Sequence, residues 1–151
     1  MEKLYVAVEL GTTTSRLVLG TLQNNCLKLG ELSRFPPPIL KDKKTQQWDV
    51  AAIFQNIVAG LADLGKQDVN LHGISCTGWA GDYLLFAEDG ALLSPTFHHD
   101  DARSAQGRET VLKKFPAETI YSETGRPIRD ASTLLQLSAE SPRRLKKART
   151  L

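Results

Sequence analysis

The chain is poor in most features that mark a specialised protein. Its two cysteines, Cys26 and Cys76, lie in separate apolar stretches. No Cys/His spacing matches a zinc site, so both read as small buried hydrophobes. No apolar run approaches the ~20 residues that a membrane-spanning helix needs. The opening MEKLYVAVELG carries an acid at Glu2 and only a short apolar core, unlike a secretory signal, and the expected location is cytoplasmic. Internal repeats and low-complexity segments are missing, which excludes solenoids and disordered arrays. What is left is an ordinary globular composition, 41% hydrophobic and 24% charged over 151 residues, enough for one domain with a real core.

Charge is nearly balanced, with a formal net of +2, but it is unevenly placed. RRLKKARTL holds Arg143, Arg144, Lys146, Lys147 and Arg149 without an acid, and the rest of the chain has 14 basic residues against 17 acids. Such a tail suits either a polyanion or the C-terminal end of a helix dipole. The second, a solvated helix end, is the expectation here, with no nucleic-acid partner.

Periodicity predicts a strand from Leu4 to Val8, a turn at GTTTS, and a returning strand from Arg16 to Leu22. QNN turns into a third strand through CLKLGELSRF. PPP and KDKKTQQ read as a surface loop. Asp49 is a good N-cap for a helix whose inner face is Val50, Ile53, Phe54, Ile57, Val58 and Leu61, with Gly65 as its stop. NLHGISCT reads as a buried strand, and DYLLFAEDGALLSPTF as a hairpin about Asp89-Gly90. Helices are expected near 102–114, 116–122 and 132–148. This order predicts an α/β fold, a mixed sheet with flanking helices.

Two stretches carry chemistry. In ELGTTTSR, Gly11 permits close approach, while Thr12, Thr13, Thr14 and Ser15 offer hydroxyls and a row of backbone N–H groups suited to a phosphate oxygen. Arg16 adds charge, and Glu9 is placed to hold a water on magnesium. The plainer reading is a hairpin turn of small β-formers with an exposed strand-end acid. No Walker Gly-Lys-Ser/Thr follows. In GISCTGWAGDYLLFAEDGALLSPTFHHDDARS a strand runs out into Thr77, Gly78, Trp79, Gly81 and Asp82, and ligand sites in α/β folds favour such strand ends. Trp79 offers a face to stack on a sugar ring, and Asp82 an acceptor for hydroxyls. Core and turn roles are the alternatives. His98, His99, Asp100 and Asp101 suggest a metal, yet sequence neighbours rarely face one ion, and helical ligand spacing is absent. Asp101 also reads as an N-cap for ARSAQGRETVL.

In order and spacing these pieces resemble the N-terminal part of the FGGY family of carbohydrate kinases. ELGTTTSR is similar to that family's Asp-x-Gly-Thr-(Thr/Ser)-x-x-Arg. The Gly-rich turn, the DG hairpin and HHDDARS follow its order through to a Trp-x-Asp-x-Arg-(Ser/Thr) element. WDVAAIF and YSETGRPI look like its first long helix and its TG segment, and Trp79 to Tyr83 leans towards the rhamnulokinase branch. The resemblance implies an actin-like ATPase fold of ribonuclease-H type, incomplete at its C-terminal end, with residues 1–151 forming a partial sugar-binding domain. In the full-length parent, ATP and Mg would phosphorylate a sugar or polyol hydroxyl. Gly11, Thr12, Thr13 and Arg16 would lie by the phosphates, and Trp79, Asp82, Asp101 and Arg103 by the sugar.

Two positions depart from the pattern. Glu9 stands where the family has Asp, which alters metal geometry, and His99 stands where it has an aromatic, which weakens stacking. No carboxylate matches the family's catalytic base, so no catalytic residue is assigned and no turnover is expected of this chain alone. The alternatives are a non-catalytic sugar-binding or regulatory module, and an interaction protein using the basic tail. Self-association through an unfinished sheet is a further expectation.

Overall fold

The computed structural model describes residues 2–42 and 45–151. In chain order its elements are β1 (Lys3–Leu10), β2 (Ser15–Gln23), β3 (Cys26–Phe35), β4 (Ile39–Lys41), β5 (Gln46–Trp48), α1 (Val50–Gly65), β6 (Leu71–Thr77), α2 (Arg103–Leu112), α3 (Ala117–Thr124), α4 (Thr133–Ser138) and α5 (Pro142–Lys147). They pack as two compact units. One comprises Met1–Pro38 with Asp49–Trp79, the other Ile39–Trp48 with Ala80–Leu151.

The first unit is a four-stranded sheet in the order β3-β2-β1-β6. The first three strands are antiparallel and β6 runs parallel to β1, which makes the sheet mixed, as expected. Asn24 and Asn25 both take positive φ at the β2–β3 turn, the left-handed pair that a two-residue hairpin with the native strand twist requires. Val6, Val8, Leu17 and Phe35 from the sheet form the core with Leu64 of α1. The Asp49 side chain caps α1 by accepting from the Ala52 N–H at 3.0 Å. At Gly60 the helix lies so close to the sheet that a Cβ would meet Ser33 Oγ at 2.7 Å and a Leu17 methyl at 2.9 Å.

The expected inner face is borne out in part, since Ile53 is buried and Ile57 and Leu61 pack against the core. Ile53, Gly60 and Leu64 are the buried positions of α1, and Phe54 and Val58 are exposed. β6 is likewise not the buried strand that its composition suggests. Most of it is exposed, because it lies at the sheet edge. Both cysteines are exposed rather than buried. Cys26 opens the edge strand β3 and Cys76 lies on β6, so neither is covered from both sides.

In the second unit β4 and β5 pair antiparallel, Ile39 with Trp48. The stretch expected as a surface loop therefore contains a short hairpin. Lys43 and Lys44 of that stretch lie outside the described residues. Trp48, Leu85, Val111 and Leu135 are buried. The Asp89-Gly90 turn forms as expected, with the Ala87 N–H donating to Ala91 O at 2.9 Å and Gly90 at φ +79°, but only the Phe86–Leu92 bridge follows it. Pro142 divides the expected helix over 132–148 into α4 and α5, standing in the first turn of α5 where its missing N–H costs nothing. The basic tail is only in part a solvated helix end. Arg143, Lys146, Lys147 and Arg149 are exposed, whereas the Arg144 side chain is 13% exposed and pairs with Glu140 at 2.6 Å.

Candidate functional site

The phosphate-loop residues fall in the first unit, where strand register decides which side chains meet. Thr77 lies opposite Glu9, Glu9 opposite Arg16, and Arg16 opposite Arg34. One row therefore crosses all four strands. Together with Leu10, Gly11, Thr14 and Gly78 it lines an open cleft of about 360 Å³. Gly11 is needed for space, since a Cβ there would sit 2.4 Å from the Thr14 carbonyl oxygen. Arg16 Nε donates to Glu9 Oε2 at 2.5 Å, with the two side chains 43% and 40% exposed. Of the residues expected here, Gly11 and Arg16 line the cleft with Glu9, while Thr12 and Thr13 are exposed at the turn and Thr14 lines the cleft instead.

Arg34 was not anticipated. Its signal was present in the alternation of β3, but only the pairing register places it beside Arg16. It is held by Glu31, to which Arg34 Nε donates at 3.0 Å. That hydrogen bond and the charge behind it hold the Glu31 carboxyl below its ordinary range. The cleft therefore offers two guanidiniums, hydroxyls and a tight glycine turn against one carboxylate that is already paired. Such a donor set suits an anion.

The residues expected at the sugar divide between the units. Trp79 is a half-buried residue at the exit of β6, in the first. Asp82, Asp101 and Arg103 belong to the second, and there each is deeply engaged. The Asp82 carboxylate accepts from Trp48 Nε1 at 2.7 Å and from Gln136 Nε2 at 3.2 Å, and it lies 2.8 Å from His99 Nδ1. Asp101 is buried. It precedes the N-cap position, Ala102, and its carboxylate accepts from the Arg103 and Gln46 N–H groups at 3.0 and 2.7 Å.

Arg103 donates to Gln136 O at 3.0 Å, Glu140 Oε1 at 3.1 Å and the Tyr83 hydroxyl at 3.2 Å. Its guanidinium lies 3.8 Å over the Phe97 ring. Tyr83 donates to Glu140 at 2.7 Å, and burial first, then that bond, pushes its phenol up to about 12. Glu140, which the sequence did not single out, is the hub of this network.

His98 and His99 stack at 4.1 Å, and His98 packs on Trp48 at the same distance. Contrary to the expectation for sequence neighbours, ligand atoms of His98, His99 and Asp100 come within 4.8 Å of one another. Both imidazoles are nevertheless engaged. His98 Nδ1 accepts from the Asp100 N–H at 2.9 Å, and His99 Nδ1 faces Asp82. Burial, followed by the neighbouring His99, lowers the pKa of His98 and keeps it neutral.

Comparison with known proteins gives a consistent result. No family model matches the chain. It is 31% identical over 139 residues to the rhamnulokinase of Lactiplantibacillus plantarum, covering 92% of this chain and 28% of that protein. It is 32% identical over 142 residues to the rhamnulokinase of Oceanobacillus iheyensis, covering 92% and 30%. Among solved structures, the xylulose kinase of Rhodospirillum rubrum superposes with a TM-score of 0.79 at 20% identity, over 98% of this chain and 32% of that one. The gluconate kinase of Lactobacillus acidophilus superposes with a TM-score of 0.77 at 19% identity, over 98% and 30%. The chain thus spans about 30% of the length of the curated relatives it matches.

Proposed function

We infer, from a chain that belongs to the FGGY family of carbohydrate kinases and has their actin-like ATPase fold, that it supplies the sugar side and the phosphate-loop strands of a sugar kinase. The observation that carries this reading is the row Thr77, Glu9, Arg16 and Arg34 around the Gly11 turn, because two guanidiniums beside a tight turn form an anion cradle. In the assembled kinase, Gly11, Thr12, Thr13 and Arg16 contact nucleotide phosphates. Trp79, Asp82, Asp101 and Arg103 shape the sugar pocket, the last three by positioning the chain rather than as free hydrogen-bonding groups. The substrate class is a sugar or polyol, with the rhamnulokinase relatives favouring a ketose of that kind. The reading includes neither a nucleic-acid nor a membrane partner. Among the described residues no helix is long and apolar enough to cross a membrane, and the proposed location is cytoplasmic.

Magnesium accompanies ATP in such a reaction and supplies charge neutralisation on the phosphates. In the cleft, Glu9 is the carboxylate available to hold a water of that ion, and its pairing with Arg16 is the interaction that must loosen. Residues 1–151 are proposed as a partial domain without turnover of its own, since no carboxylate here is assigned as base to a sugar hydroxyl.

The test is a titration of the chain with inorganic phosphate and with a panel of ketoses and polyols, alongside an assay for ADP release. Phosphate binding that disappears in Arg16→Ala, with no ADP formed, is the expected result. ATP-dependent phosphorylation of a sugar by this chain overturns the inactivity, and indifference to phosphate overturns the cradle. The Glu9–Arg16 pair favours a second reading, a sugar-binding or regulatory module, because it satisfies the cleft's carboxylate internally. Sugar-induced thermal stabilisation without any phosphate binding would select it.

A further inference from the structure

On β3 the alternation of side chains breaks once, beside the Gly11 cleft. Arg34 lies opposite Arg16 and Ser33 opposite Leu17, but Glu31, not Leu32, lies opposite Val18. Leu32 is thus the extra residue of a bulge. Leu32 and Ser33 both stay on the core side, the first packed against the core cluster and the second beside Gly60. Glu31 is thereby shifted to the face that carries Arg16 and Arg34. In a regular strand, residues three apart point to opposite faces. The bulge is what lets the Glu31 carboxylate accept from Arg34 Nε, at 3.0 Å, and from Arg34 Nη2. Bulges re-aim side chains in this way beside functional sites.

The same register sets Arg16 and Arg34 directly opposite one another, a pairing of like charges that destabilises a sheet. Guarding an edge strand against further pairing explains a charge and a bulge on β3. It does not explain an arginine set against another arginine, in a cleft that both line. Glu9 and Glu31 each hold one side of the pair, and their bonds use Arg16 Nε, Arg34 Nε and Arg34 Nη2. Among the described residues, both Nη groups of Arg16 and Nη1 of Arg34 remain as donors without an acceptor.

We propose that Arg34 is a second anion ligand of the Gly11 cleft, acting with Arg16 on one phosphate group, and that Glu31 is the internal counter-ion which this anion displaces. The proposal rests on the phosphate reading of the cleft given above and adds a residue and a competitor to it. Phosphate oxygens are the chemistry recognised, whether of free phosphate or of a polyphosphate tail. An anion between the two guanidiniums relieves their repulsion and accepts from the donors that remain. Glu31 competes with it for Arg34. The side chains of that ion pair are 52% and 41% exposed, and a pair so open to water is weak enough for a ligand to displace. The bulge keeps Arg34 aimed at the cleft by holding its carboxylate partner on the same face.

The experiment is a calorimetric titration of the whole chain with inorganic phosphate and, in a parallel arm, with inorganic triphosphate. Arg34→Ala should weaken binding about tenfold, as for the loss of one charge-assisted hydrogen bond. Lys28→Ala removes the same charge from the same strand but outside the cleft, and should change binding by less than about twofold because of screening. Glu31→Gln should tighten binding roughly threefold by removing a weak competitor, and Glu31→Gln with Arg34→Ala should lose that gain. A gain in affinity does not arise from misfolding, so the Glu31→Gln arm decides the matter even if Arg34→Ala does not fold. Equal effects of Arg34→Ala and Lys28→Ala, or no tightening in Glu31→Gln, overturn the proposal and leave the cradle at Arg16 standing. Absence of binding by the parent chain overturns the cradle and this proposal together. With the Arg34→Ala loss seen in both arms, tighter triphosphate binding marks a polyphosphate tail as the source of the anion, and tighter phosphate binding marks free phosphate.

Discussion

The Gly11 cleft and the Asp82–Glu140 network both hold residues that the motifs mark for ligand binding, but they are organised in opposite ways. In the cleft, Glu9 and Arg16 are each about 40% exposed and pair with one another. In the network, Asp82, Asp101, Arg103 and Glu140 are almost wholly buried, and each has two or more protein partners. A ligand can replace a half-exposed ion pair at little cost, because such pairs contribute ~0–1 kcal/mol. It cannot replace a buried carboxylate's partners without leaving them desolvated and unmade. The first region is chemically available, and the second holds its own unit together.

Substitutions test that division, and the largest effect is expected at Glu140. Glu140→Ala leaves the guanidiniums of Arg103 and Arg144 and the Tyr83 hydroxyl without their common acceptor. A loss of about 3–5 kcal/mol is expected by denaturant unfolding, as for a broken buried ion pair. Asp82→Ala removes the acceptor of Trp48 and Gln136 and should cost about 1–3 kcal/mol. A stability like that of the parent chain would show Asp82 to be free for a ligand. Gly60→Ala crowds Ser33 and Leu17 and is expected to cost about 1–3 kcal/mol by overpacking.

At the cleft, Arg16→Ala should change stability by less than about 1 kcal/mol while abolishing phosphate binding. A large drop in melting temperature would make the pair structural and erase the contrast between the regions.

A pH series sharpens the same contrast. Burial lowers the pKa of His98 from its ordinary value of 6.5, so the folded state resists a proton that the unfolded chain accepts. Its contribution to stability is complete above 6.5 and falls as the pH drops below that value. Thermal melts from neutral to mildly acidic pH should show this slope, and His98→Gln should flatten it. An unchanged slope would mean that other groups set the acid sensitivity.

Much of the first unit was legible in the sequence because its signals are local. The β1–β2–β3 order follows from alternation and from turn residues, and the α1 start from Asp49. The inner face of α1 was legible only in part, with Ile53, Ile57 and Leu61 facing the core as their spacing predicts. Six apolar residues fit a helical stripe, but the helix rolls to bring Gly60 onto Leu17, leaving Phe54 and Val58 outside. The composition of β6 predicts a buried strand, whereas burial depends on what lies beside a strand. The hairpin of β4 and β5 leaves no signature in the sequence because its strands have three residues each, too few for a period to show. At the site, the motif pointed to Glu9, Gly11 and Arg16, but nothing in the sequence linked Arg34 to them.

By itself the sequence determined the residue types at each motif, the succession of strands and helices, and the kinase resemblance, since these depend on short-range order along the chain. Only the tertiary structure decided which charges are available. Arg16 and Arg103 are the same residue type in neighbouring family motifs. One is left at an open cleft by its strand register, and the other is closed over Phe97 and tied to Glu140. The reason is physical: a guanidinium's role is set by its desolvation and its partners, and those come from residues distant in sequence.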